Sequence, residues 1–215
     1  MRCVSGIRPG QSTDSASIRN RLTVIEDDVY GFVSPEKAPL ATLIPHRTVY
    51  VTSLSKSLFP GMRLGCVAAP AEMLEAITGS VWASMIMASP IGADLLSGWI
   101  EDGTAARIAD WKRHEFAARQ AMARRLFEGE RVQTHPSSPH LWLHLPVRWS
   151  SESFAAHVRS RGVILNASTQ FAVSDQPARA VRVCLGPPRT RPGMEQAFTI
   201  IRQSLAGQPA AARAV

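Results

Sequence analysis

From residue 21 onward the chain alternates short apolar runs with longer amphipathic ones. Leu22–Ile25, Val49–Thr52 and Leu64–Ala68 are of strand length and are bounded by polar or turn residues. Pro70 opens a predicted helix through Ile77. The apolar stretch Val81–Ile100, with Trp82, Met85, Met87 and Trp99, predicts a mostly buried helix whose Trp and Met residues belong to the core or to a dimer interface rather than to a ligand box. Asp102-Gly103 breaks that run. Ile108, Trp111, Ala118, Met122 and Leu126 then recur at helical spacing, with arginines between them, until Gly129. His140–Leu145 alternates so that Leu141, Leu143 and Leu145 share one face. Ser151 predicts an N-cap for a helix stopped by Gly162. Strands are expected at Val163–Asn166 and Val181–Leu185. A last helix holds Pro192 just inside its start and runs to Leu205, ahead of Gly207.

Strands followed by helices, then a smaller α+β unit reached through a long helix, predict an α/β protein of two lobes. The expected divisions are an irregular tail over 1–20, a first block over 21–103, the long helix with a small C-terminal domain over 104–206, and a disordered tail over 207–215. Three strands are too few for a self-sufficient α/β sheet. A further segment is therefore expected in front of residue 21.

Composition narrows the function classes. With 215 residues, 45% apolar and 19% charged, the chain can bury a sizeable core. No run reaches the roughly 20 apolar residues that a membrane span needs. The N-terminus lacks the apolar stretch of a secretory signal, so a cytoplasmic location is expected. The net charge of +7 invites a nucleic-acid reading. Yet the arginines are scattered, Arg113, Arg119, Arg124 and Arg125 being the nearest to a cluster, and no nucleic-acid partner is expected. Cys3, Cys66 and Cys184 lack metal or redox spacing, and the last two sit in apolar runs, where buried thiols are expected. His140 and His144 share a strand face, but about 13 Å along a strand is too far for one ion, so no metal is expected.

Chemistry concentrates in two places. Of the 24 basic residues only Lys37, Lys56 and Lys112 are lysine. Lys56 lies in a hydroxyl-rich turn, Ser53-Leu54-Ser55-Lys56-Ser57, with Arg63 seven residues on. An amine among hydroxyls, ahead of a guanidinium, suits a phosphate-bearing aldehyde: the amine forms the Schiff base and the others hold the phosphate. The second place is Glu26-Asp27-Asp28-Val29-Tyr30, at the carboxyl end of the first predicted strand, where α/β sheets bind ligands.

Residues 22–206 resemble the second half of the class I/II, fold-type I pyridoxal-phosphate aminotransferases. They are most similar to the aminotransferase-like domain of MocR-type regulators within the GntR family. The matching pieces, in the family's order, are VIEDDVYGF (24–32), SLSKSLFPGMRLGCVAAP (53–70), HLWLHLP (140–146) and AVRVCLG (180–186). The resemblance implies a partial pyridoxal-phosphate transferase fold, in which the later strands of the large-domain sheet are followed by a small C-terminal domain. It implies pyridoxal 5'-phosphate as cofactor, amino acid and 2-oxo acid substrates, and a homodimer. Lys56 would form the internal aldimine and move the proton between carbons. Asp27 would pair with the pyridinium nitrogen and Tyr30 with the ring oxygen. Ser53, Ser55 and Arg63 would bind phosphate, and Arg182 the substrate carboxylate.

The sequence also departs from that family. Its first half, which supplies a phosphate loop, a ring-stacking aromatic residue and an asparagine, has no counterpart in residues 1–20. The regulators' winged helix has none either. Ser138-Pro139 stands where relatives often carry glycine. Three outcomes are left open: an aminotransferase, a non-catalytic effector domain that senses through the cofactor, or a fragment that binds cofactor poorly.

Overall fold

A computed structural model describes residues 22–207. Both expected tails and Cys3 lie outside the described residues, Gly207 excepted. The described residues form two units that divide between Arg113 and His114.

In the first unit, β1 (Val24–Asp27) runs parallel to β2 (Thr48–Ser53), which pairs antiparallel with β3 (Gly65–Ala68). The first strand starts two residues later than its apolar run, so Glu26 and Asp27 are within it. The register explains this: Glu26 lies opposite Tyr50, and its carboxylate accepts hydrogen bonds from the backbone N–H groups of Leu40 and Ala41, each at 2.9 Å. Those donors open a short 3-10 turn, Leu40–Thr42, and would otherwise lack partners. After β2 the chain makes a single helical turn, α1 (Leu54–Ser57), and β3 is followed by α2 (Ala71–Met85) and α3 (Pro90–Glu101). A small core of Leu58, Met62, Leu64 and Leu96 joins α1 to α3, with Leu54, Trp99, Ala105 and Ile108 around it.

The expected buried helix over 81–100 is not found. The run is split at Ile86, which has φ 66°, and Ser89 caps a new helix that has Pro90 in its first turn. Leu96 alone is buried in α3 and nothing is buried in α2, while Trp82, Met85, Met87, Ile91 and Ile100 are exposed. Apolar content fixed the helical tendency there, but burial needs an opposing surface. Cys66 is likewise exposed, because all four residues of β3 are, and Cys184 is only half-buried.

Gly103, at φ +75°, turns the chain into α4 (Thr104–Leu126), and the boundary between the units falls inside this helix. Trp111 does not share the buried side expected for it and is exposed. The second unit is a four-stranded antiparallel sheet in the order β4 (Val132–Thr134), β5 (His140–His144), β7 (Ala180–Cys184), β6 (Asn166–Ala167). It is packed by α5 (Ser151–Ser160) and α6 (Arg191–Ala206). Leu141, Leu143 and Leu145 all point inward, as the alternation predicted, and meet Phe127, Trp149, Phe154, Val181, Val183 and Phe198. Ser150 rather than Ser151 caps α5, through a reciprocal capping box with Ser153. Of the expected strand at Val163–Asn166 only Asn166 pairs, with Ala167 after it, because the chain leaves Gly162 (φ +89°) irregularly and Ile164 points to solvent.

Candidate functional site

The three consecutive carboxylates at the end of β1 have different environments. Glu26 is 3% exposed and holds the turn at Leu40. Asp28 is 5% exposed, accepts the Tyr50 hydroxyl at 2.9 Å, and gives its backbone carbonyl to the Thr52 hydroxyl. Burial, and then the Asp28 carboxylate, push the Tyr50 phenol above its ordinary value. Asp27 lies between them and is exposed, its Oδ1 accepting the Val29 N–H at 3.2 Å. Strand alternation separates the three: Glu26 faces one side, Asp27 the other, and Asp28 turns inward after the strand ends. The carboxylate available to a ligand is thus Asp27.

Asp28 also fixes the path of the next turn. A Cβ on Gly31 would lie 2.2 Å from its Oδ2, so only glycine lets the backbone pass. That turn places the Tyr30 ring beneath Lys56, whose Nζ is 6.0 Å from the ring centroid. Residues 26 positions apart in sequence are thereby brought together, because β1 and β2 are parallel neighbours whose carboxyl ends lie side by side. Lys56 is exposed.

Of the proposed phosphate ligands, Ser53 is the N-cap of α1. Its hydroxyl accepts the Ser55 N–H at 3.2 Å and donates to the Leu64 carbonyl at 3.3 Å. Ser55 is half-buried in the same turn. Arg63 is exposed and left-handed, at φ 51° and ψ 39°. That conformation costs a non-glycine residue about 1–2 kcal/mol, and such strain gathers at ligand clamps. It comes at the end of the Pro60–Met62 turn, where Gly61 passes under the Phe59 ring.

Arg182 belongs to the second unit. It is half-buried on β7, its guanidinium carbon 4.4 Å from the Phe171 ring centroid, and its Nη2 reaches Asn166 Oδ1 at 3.5 Å. Its Nε is buried and makes no hydrogen bond with the described residues. Trp142 lies opposite it on β5 and packs edge-on to Phe171, at 5.9 Å between centroids. An arginine stacked on one aromatic ring and flanked by another, with donor capacity unused, is chemically suited to a carboxylate beside an apolar group. Phe171 and Asn166 lie in stretches without motif spacing. Lys112 and Arg113 belong to no motif either, and only the structure shows their partners: Lys112 donates to the Lys56 carbonyl at 3.0 Å, and Arg113 to the Phe32 carbonyl at 3.4 Å. Among the described residues no cluster of His, Cys, Asp or Glu could hold a metal, and no helix is long and apolar enough to cross a membrane.

The fold recurs in known proteins. An HTH-type transcriptional regulator of Bacillus subtilis (strain 168), YdeF, itself uncharacterised, is 32% identical over 186 residues, covering 86% of this chain and 40% of that protein. Of solved structures, an archaeal alanine:glyoxylate aminotransferase superposes with a TM-score of 0.80 at 18% identity, over 89% of this chain and 50% of the other. LysN of Thermus thermophilus, an α-aminoadipate aminotransferase complexed with N-(5'-phosphopyridoxyl)-L-leucine, does so with a TM-score of 0.77 at 20% identity, over 89% and 52%. The chain therefore spans about half the length of these structures, and less of the regulator. The family described as aminotransferase class I and II matches residues 16–201. On that match, and with a partial pyridoxal-phosphate transferase fold, the chain belongs to the class I and II aminotransferase family.

Proposed function

We propose that this chain carries the lysine half of a pyridoxal-phosphate site and serves amino-group transfer between an amino acid and a 2-oxo acid. The observation that carries this reading is the meeting of Lys56 with Tyr30, three residues after Asp27, the one exposed carboxylate of its run. The residues present fit the group: an accessible amine, a carboxylate, a phenol, hydroxyls and an exposed guanidinium lie on the loops at the carboxyl end of β1 and after β2. When bound, the cofactor supplies an aldehyde for the amine and an electron-accepting pyridine ring.

The protein's own part follows from its side chains. Lys56 Nζ would hold the cofactor at its aldehyde carbon and would move the proton at the substrate Cα. Asp27 would hold a proton on the ring nitrogen, and Tyr30 would donate to the ring oxygen. Arg63 would grip phosphate oxygens with its fork, helped by Ser55 and by Ser53, whose hydroxyl also caps α1. Arg182, in the second unit, would pair with the substrate carboxylate. A homodimer in the cytoplasm belongs to the same proposal.

A second reading is favoured by the identity to YdeF: an effector domain in which cofactor and amino acid act as a signal rather than as reactants. Two measurements separate the readings. Purified protein mixed with pyridoxal 5'-phosphate develops a visible band that borohydride bleaches and that Lys56→Ala lacks; without that band both readings fall. Turnover of amino acids with 2-oxoglutarate then marks an enzyme, and binding without turnover marks a sensor.

A further inference from the structure

The turn that carries Lys56 is short. α1 has four residues, and Leu58 N and Phe59 N both close onto the Leu54 carbonyl. The carbonyls of Lys56 and Leu58 lie where no further helical turn exists to donate to them. Both are taken by one group from 54 and 56 residues away: Lys112 Nζ, on α4, donates to the Lys56 carbonyl at 3.0 Å and to the Leu58 carbonyl. The next residue, Arg113, donates to the Phe32 carbonyl in the turn that follows Tyr30. One end of α4's first half therefore holds both segments whose side chains meet at 6.0 Å.

We propose that Lys112 is a positioning residue for Lys56: by tying the Lys56 and Leu58 carbonyls to α4, it fixes the turn from which the Lys56 amine meets the cofactor aldehyde. This rests on the reading of Lys56 as the cofactor lysine. Chemistry explains the residue type. In a chain with three lysines among 24 basic residues, this site keeps a compact ammonium whose rotatable donors reach two carbonyls converging from two positions. A planar guanidinium spreads its donors in a fixed fork made for paired oxygens. Burial pushes the Lys112 ammonium below the usual lysine range. Even the neutral amine keeps two N–H donors for its two acceptors, so the tie survives loss of the proton. Reacting groups displaced by about 1 Å lose about 100-fold in rate, so a loosened turn has a measurable chemical cost.

The test uses the full chain and pyridoxal 5'-phosphate, trapped with borohydride and mapped by peptide mass spectrometry. Lys37, exposed in the 34–39 loop, is the internal reference. Wild type should label Lys56 well ahead of Lys37. Lys112→Met should lower the Lys56:Lys37 ratio by about tenfold or more at an unchanged melting temperature. Deuterium uptake should rise in 54–59 and stay unchanged in β2. Lys112→Cys treated with 2-bromoethylamine, which rebuilds an ammonium of lysine-like reach, should recover the ratio, with equally treated wild type as control. If Lys112→Met does not fold, Lys112→Arg, which keeps charge and stem, carries the same readouts and should also lower the ratio. An unchanged ratio overturns the proposal, and so does a loss matched by faster exchange throughout β2, which marks general loosening. Wild type that labels Lys56 no better than Lys37 sinks the reading of Lys56 itself and the proposal with it. Failure of the Lys112 tie alone looks different, since the wild-type preference for Lys56 then persists in the variant.

Discussion

Glu26→Ala should unfold the first unit far more easily than Asp27→Ala, although the two residues are neighbours with the same charge. Glu26 is 3% exposed, and its two carboxylate oxygens each accept a backbone N–H at 2.9 Å, from Leu40 and Ala41. Alanine removes both charge-assisted acceptors and leaves the two donors at the start of the Leu40–Thr42 turn without them. A buried donor left unsatisfied costs about 1–3 kcal/mol. Leu40 and Ala41 are half-buried, so water recovers part of this, and a total of about 2–4 kcal/mol is expected. Against a domain stability of about 5–15 kcal/mol, that is a large share. In urea, with m of about 1–3 kcal/mol per M, the midpoint should fall by about 1–2 M. Glu26→Gln, which keeps one acceptor and turns an NH2 toward the other donor, should fall between alanine and wild type. Asp27→Ala should unfold with wild type yet lose affinity for pyridoxal 5'-phosphate. Equal midpoints for Glu26→Ala and Asp27→Ala would refute the division of labour read from the burial and hydrogen bonds of this run.

Arg63→Gly should leave stability unchanged or raise it by about 1 kcal/mol, since glycine adopts φ 51° without strain, while pyridoxal 5'-phosphate binding weakens; thermal melts and a cofactor titration read the two effects. Gly31→Ala should cost about 1–3 kcal/mol, because the new methyl meets the buried Asp28 carboxylate; displacing Asp28 should also lower the raised Tyr50 phenol toward its ordinary value, read from phenolate absorbance. In the second unit, the hydrogen bonds from Arg191, helped by Arg119, hold the Glu115 carboxyl below its ordinary value. A carboxyl lowered by folding stabilises the protein above its unfolded value and loses that contribution as pH falls through the folded one. Glu115→Gln should therefore be less stable at neutral pH and show a flatter acid limb in urea midpoints measured down to about pH 3.

The motifs were legible because their chemistry is local. Ser53–Ser57 reads as a hydroxyl-rich turn at the end of an apolar strand, and it is one: Ser53 caps α1 directly after β2. The second unit was the more readable of the two. Leu141, Leu143 and Leu145 point inward as alternation requires, since one face of that sheet meets α5 and α6 and the other does not. Val81–Ile100 was the least readable. Apolar composition predicted burial, yet Trp82, Met85 and Ile91 are exposed, and a strained Ile86 with Ser89-Pro90 breaks the run in two.

By itself, then, the sequence determined which groups could do chemistry: a lone lysine among hydroxyls, a carboxylate run at a strand end, an arginine seven residues downstream. Periodicity also determined most of the elements. Tertiary structure decided which member of each set is available. Among Glu26, Asp27 and Asp28, burial and partners 14 to 22 residues away leave Asp27 exposed. Among three lysines, one is over Tyr30 and another holds its backbone from 56 residues away. Neighbours along the chain set a residue's propensity. Accessibility and hydrogen-bond partners depend on which distant segments pack against it, and parallel pairing of β1 with β2 makes that choice here.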